Sequence, residues 1–117
     1  MVLVLPDDLE ITKLNLFNKG LTECPDLTKY TKLIELDIRN NQITCLDNLP
    51  LTLEVLNCSY NKITSLDNLP PNLIELYCGD NKLISLDYLP SNLETLFCGH
   101  NRISGLDNLP LNLKKLD

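Results

Sequence analysis

From Leu53 onward the chain repeats itself every twenty residues: LEVLNCSYNKITSLDNLPPN (residues 53–72), LIELYCGDNKLISLDYLPSN (73–92) and LETLFCGHNRISGLDNLPLN (93–112). The period admits no insertion or deletion. A unit this short cannot bury its own apolar residues, so copies must stack on one another, and stacked copies make a solenoid in which each turn touches only its neighbours. Residues 33–52, LIELDIRNNQITCLDNLPLT, are a first copy in the same register, with Ile38 where later copies have cysteine, and residues 113–117 open a fifth. Upstream the period loosens. Leu14, Leu16, Leu21, Leu27 and Leu33 mark a degenerate turn, in which Lys19 holds the slot later taken by asparagine and Cys24 replaces a core leucine. Residues 1–13 align either through Leu9 or through Ile11. An irregular cap is expected there, because the end turn of a solenoid faces water on one side. The chain therefore reads as one domain: an irregular cap and degenerate repeat over 1–32, four regular repeats over 33–112 and a partial repeat over 113–117.

Within a repeat, the alternation Leu56-Asn57-Cys58 has period two and predicts a short strand with one face inward. Strands that recur in one direction must pair in parallel, stacked about 4.8 Å apart. Asn41, Asn61, Asn81 and Asn101 follow the strands where the chain bends, and a column of amides can satisfy backbone groups that the bend leaves unpaired. The second half of the repeat, Ile63 to Pro70, has apolar residues at every third position and ends at proline. That predicts an extended or 3₁₀-like arc too short for a helix, hence a thin, weakly curved rod.

The pattern L-x-x-L-x-C-x-x-N-x-I-x-x-L-D-N-L-P-x-N resembles the leucine-rich repeat family over roughly residues 11–117, with Leu53, Leu56, Leu66, Leu69 and Asn61, and again Leu73, Leu76, Leu86, Leu89 and Asn81, on the family's framework positions. The twenty-residue length and the L-P-x-N-L junction are similar to the shortest class, found in secreted bacterial effectors of the YopM and IpaH kind. The L-D-N-L-P element with a strand cysteine looks closer still to leucine-rich repeat proteins of mimivirus-like giant viruses. The resemblance implies a right-handed solenoid whose concave parallel sheet binds other proteins. It does not carry over ubiquitin-ligase activity, since the separate domain that some effectors use for it has no counterpart among these residues.

Charge and composition narrow the partner. A net charge of −6 argues against nucleic-acid phosphate or an anionic membrane as the main partner, since both require clustered Lys and Arg. The opening MVLVLPDDLEITK lacks a positive n-region, and its apolar run stops at Pro6, too short for a signal peptide or a membrane span. Five cysteines, an odd number, fit a reducing compartment. A cytoplasmic location is therefore expected, the host's cytoplasm if the source is viral or an effector. The Asn57-Cys58-Ser59 sequon is read as coincidence.

If the repeating letters face inward, specificity must lie in the letters that change. Three outward columns follow: Lys13, Glu35, Val55, Glu75, Thr95, Lys115; then Asn15, Asp37, Asn57, Tyr77, Phe97, Asp117; then Phe17, Arg39, Ser59, Gly79, Gly99. Tyr77 and Phe97 stand on adjacent turns beside Gly79 and Gly99, near Tyr60 and His100. An exposed aromatic pair beside bare backbone suits an anchor for a partner, because rigid rings lose little entropy on binding. The same pair could instead serve only to hold adjacent strands together. The expected protein-binding residues are Tyr77, Phe97, Tyr60, His100, Asn57, Val55, Glu75, Asp37 and Arg39. A second reading is an assembly subunit that self-associates weakly through an open last strand at residues 113–117.

The remaining columns read as structure. Cys58, Cys78 and Cys98 form an inward ladder of buried thiols; parallel in-register strands aim their Cβ bonds the same way, which does not suit a disulfide. Cys45 falls at a surface position. Asp47, Asp67, Asp87 and Asp107 would repel as a stack unless each caps local backbone N–H groups. Gln42, Lys62, Lys82 and Arg102 make a solvated basic edge. One histidine and no convergent nucleophile and base predict no catalysis, and no cofactor or metal is expected.

Overall fold

The computed structural model describes residues 3–117. Six strands, β1 (Lys13–Asn15), β2 (Glu35–Asp37), β3 (Val55–Asn57), β4 (Glu75–Tyr77), β5 (Thr95–Phe97) and β6 (Lys115–Leu116), form one parallel sheet in chain order. Their register is the one the repeat dictates, with Leu14, Leu36, Leu56, Leu76, Leu96 and Leu116 paired in sequence. In β2 to β5 the central leucine is buried while its two neighbours are half-buried on the opposite face. One face is thus sealed and the other offered.

The sealed side is an aliphatic ladder. Leu53, Leu56, Cys58, Ile63, Leu73, Leu76, Cys78 and Leu83 have no exposed surface at all. Their burial against identical residues one coil away supplies the apolar area a chain without a globular core needs, about 25 cal/mol for each Å² removed from water. Asparagine closes each bend. The Asn61 amide donates to the carbonyls of Ile38 (2.9 Å), Cys58 (3.1 Å) and Ser59 (3.3 Å), and its oxygen accepts from the Ile43 N–H at 3.0 Å. Asn81 repeats the set one coil on, and no buried side-chain polar atom among the described residues lacks a partner.

The first coil settles the alignment that the sequence left open. Lys13 pairs with Glu35, which puts Ile11, not Leu9, in the slot of Leu33; Ile11 packs on the core and Leu9 is exposed. Tyr30 fixes this end. Its ring is fully buried where later coils have proline, since the Leu33 N–H bonds to the Tyr30 carbonyl as the Leu53 N–H bonds to that of Pro50. Its hydroxyl donates to the carbonyl of Pro6, tying the cap to the coil.

On the outer side one expectation holds and one needs correction. Among the described residues the convex side is extended chain and turns with no 3₁₀ or α-helix, the extended form of the two that the repeat allowed. Asn48, Asn68, Tyr88 and Asn108 have φ of 61°, 67°, 68° and 63°, and a left-handed residue in each coil interrupts the run of right-handed angles a 3₁₀ helix needs. Of the aspartate column, expected to cap backbone N–H groups, Asp47 and Asp87 accept side-chain bonds instead. Asn68 donates to Asp47 at 3.1 Å and Asn108 to Asp87 at 3.3 Å, because stacking brings the next coil's amide within reach of these two carboxylates, whereas the coil after Asp67 has Tyr88 at that position. The basic edge of Lys62, Lys82 and Arg102 is exposed, as expected. No helix among the described residues is long and apolar enough to cross a membrane.

Candidate functional site

The concave face is built by the strand residues on either side of the buried leucines, so each position one residue before or after a leucine becomes a column running along the sheet. Val55 pairs with Glu75, and Tyr77 with Phe97. That pairing stacks the two rings: their centroids lie 5.2 Å apart and their planes are 9° from parallel. Both rings are half-buried, where the sequence suggested an exposed pair. The Tyr77 hydroxyl donates to Glu75 Oε1 at 2.7 Å, which fixes the ring's tilt and pushes the phenol pKa up, with partial burial adding to the rise.

Beside the stack lies a shallow trough of about 330 Å³, bordered by Arg39, Asn57, Tyr60, Tyr77, Phe97 and His100, with Gly79 and Gly99 leaving backbone bare between them. Six of the nine expected binding residues meet there. Val55 and Asp37 fall instead in a neighbouring depression of about 400 Å³ that shares Asn57 and Tyr77. Glu75 borders neither as a free carboxylate; it serves as acceptor to Tyr77.

Arg39 does not project as a free cation. Its guanidinium bonds to Asp37 at 2.8, 3.0 and 3.1 Å and lies 5.2 Å from the centre of the Phe17 ring. Partial burial pushes the Asp37 carboxyl up, but the hydrogen bonds and charge of Arg39 outweigh it and hold the group below the usual carboxylate range. Phe17 was in an outward column yet not singled out. Its role with Arg39 was hidden because it lies in the degenerate coil, where the period gives the weakest guide.

Tyr60 and His100 occupy the residue that leaves the strand, with φ of 57° and 55°. In the other coils that position is Asn18, Asn40 and Asp80, the types that tolerate left-handed backbone best. Here two ring side chains are held in an unfavoured conformation at the rim of the trough.

Sequence reasoning missed a second strip. Ile34, Glu54, Ile74 and Glu94, with Thr52, Asn72, Asn92 and Asn112, line a depression of about 540 Å³ along the sheet's upstream edge. These are the first variable letters of L-x-x-L, and counting them as an outward column would have found it. The cysteines fall as expected: Cys24, Cys58, Cys78 and Cys98 are buried and Cys45 is exposed, all as free thiols. Burial pushes the Cys58 thiol up to about 12.

A family model described as leucine-rich repeats, in two copies, matches residues 52–91. The leucine-rich repeat domain of a Shigella effector superimposes with a TM-score of 0.82 at 36% sequence identity, covering 91% of this chain and 48% of that one. The chain belongs to the leucine-rich repeat family. YopM from Yersinia enterocolitica is a second similar structure, with a TM-score of 0.64 at 31% identity over 81% of this chain and 25% of that one. This leucine-rich repeat chain thus spans less than half the length of either solved protein. Comparison with curated proteins finds no match. Leucine-rich repeat domains generally act as protein-interaction modules rather than enzymes, and both similar structures come from bacterial effectors.

Proposed function

We propose that this leucine-rich repeat domain is a non-catalytic module that binds a protein partner on its concave sheet, centred on the Tyr77–Phe97 stack. The observation that carries the reading is the division of labour across each strand. The repeated leucine is sealed, while the residues that differ from coil to coil face outward and assemble two adjoining depressions with aromatic walls. Aromatic side chains in well-packed surroundings are the commonest anchors of protein interfaces. An acidic balance favours a protein partner over nucleic acid or an anionic membrane. Five cysteines with no pairing among them suit a reducing compartment, and the cytoplasm is the location this reading assigns.

The test is photocross-linking from defined positions. A benzophenone amino acid placed at Ser59, on the concave face, should label a partner captured from the native source, and the same group at Lys62, on the basic edge, should not. Labelling from Lys62 alone would place the interface elsewhere and overturn the reading.

A further inference from the structure

The charges around the trough are not balanced. Arg39, the one cation bordering it, is committed to Asp37 through three hydrogen bonds. Asp80 also borders the trough, half-buried at the position that Tyr60 and His100 hold one coil to either side, and none of the four ion pairs among the described residues includes it. Asp117 adds a second carboxylate at the far wall, while Lys115 lies one column away, outside the lining. A carboxylate without a cation, at the border of a trough walled by aromatic rings, is a place where an incoming positive group finds a partner.

The trough floor suits a particular shape of cation. Gly79 and Gly99 leave bare backbone next to the stacked rings, so a long apolar stem can lie along them. A Cβ built on Gly99 meets nothing within 4 Å, which makes this space open rather than filled by the fold. At its end Asp80 offers a carboxylate, with aromatic side chains at the residues before and after it in the column. A planar guanidinium satisfies both, donating a two-pronged pair of N–H bonds to the carboxylate oxygens and stacking on ring faces, whereas an ammonium is a hydrated point charge that does neither as well.

We propose that the trough receives an arginine side chain of the partner protein, its stem on Gly79 and Gly99 and its guanidinium on Asp80. This rests on the reading that the concave face binds protein, and narrows it to a partner presenting arginine from an exposed segment. The partner's arginine is paired here by Asp80 in the way that the chain's own Arg39 is paired by Asp37 two coils earlier.

The ¹⁵N-labelled protein, titrated with N-acetyl-arginine-N′-methylamide at constant ionic strength, provides the test. Saturable shifts are expected at the amides of Gly79, Asp80 and Gly99, with the lysine and glutamine analogues producing weaker ones. Asp80→Asn keeps a residue suited to left-handed backbone, as Asn40 shows at the same position, so the fold is retained. Loss of the charge-assisted bond should weaken arginine binding about tenfold. Gly99→Ala, for which the structure has room, should weaken it by occupying the floor. Equal responses to all three probes, no saturable shift, or indifference to Asp80→Asn would each overturn the proposal. Cross-linking from Ser59 separates the two readings. If Asp80→Asn leaves that labelling intact, the arginine assignment fails and concave binding stands; if Ser59 never labels a partner, the broader reading fails.

Discussion

Tyr77 and Phe97, twenty residues apart in the chain, lie ring on ring at 5.2 Å with their planes 9° apart. The repeat period alone brings them together, since each follows a framework leucine by one residue and those leucines are paired in register. Stacked pairs of this kind contribute about 0.5–1.5 kcal/mol beyond the area they bury. A double-mutant cycle with Tyr77→Ala and Phe97→Ala, read by denaturant unfolding, should return a coupling energy in that range. A coupling of zero would show that the rings do not pack in solution as they do in the structure.

The asparagine ladder predicts a gradient along the rod. Asn61→Ala removes the donor to three carbonyls and the acceptor for the Ile43 N–H, and each buried group left unpaired costs about 1–3 kcal/mol. Several such groups approach the whole stability of a small domain. Asn101→Ala leaves an equivalent set, but one closer to water. Thermal melts of the two variants should show the larger drop for Asn61.

Tyr60 should show opposed effects on stability and binding. Non-glycine residues in left-handed backbone carry a penalty of about 1–2 kcal/mol, which asparagine largely escapes. Tyr60→Asn should therefore raise stability by about 1 kcal/mol while removing one wall of the trough. Urea unfolding and partner binding measured on the same variant check both halves.

The thiols set the alkaline limit of the fold. Desolvation, then the nearby Asp47 and Cys45, pushes the Cys24 thiol up to about 12, and burial does the same for Cys58. An unfolded thiol loses its proton near pH 9, so above that pH the native state holds more protons than the unfolded one. The sign is fixed: this stability is fully present below pH 9 and is lost as pH rises toward 12, by up to about 1.4 kcal/mol per pH unit for each such thiol. With a disulfide reagent at pH 8, Cys45 alone should react quickly, and slower than a free thiol because its hydrogen bond to Asp47 raises its pKa. Denaturant should release the other four.

Most of the fold was legible because a strict period constrains geometry directly. Once Leu56, Leu76 and Leu96 are equivalent, parallel pairing, the buried cysteine column and the asparagine contacts follow without further information. Where the period loosened, so did the reading. Leu9 and Ile11 are both apolar and offered two registers, and the choice falls to Ile11 through the pairing of Lys13 with Glu35. Tyr30 was counted with neither core nor surface, since nothing in its own neighbourhood marks it as the residue that replaces proline and anchors Pro6. The aspartate column was misread for a different reason. Local capping is the usual behaviour of aspartate in a turn, but the donor nearest to Asp47 is the Asn68 amide of the following coil, a contact that depends on stacking.

For the site, the columns were legible but their occupancy was not. The sequence brings Arg39 to the concave face, yet only side-chain geometry shows that Asp37 consumes its charge and that Asp80, two coils on, has no such partner.

Under the proposed function the repeated, sealed residues determine the fold, and the variable residues of the concave face determine what it binds. Partner binding by the Tyr77→Ser/Phe97→Ser double variant, measured at a temperature where its circular dichroism matches the parent's, tests this most directly. The predicted result is a folded solenoid whose affinity has fallen by about a thousandfold, as expected when two interface anchors of about 2 kcal/mol each are removed. Undiminished affinity would contradict it.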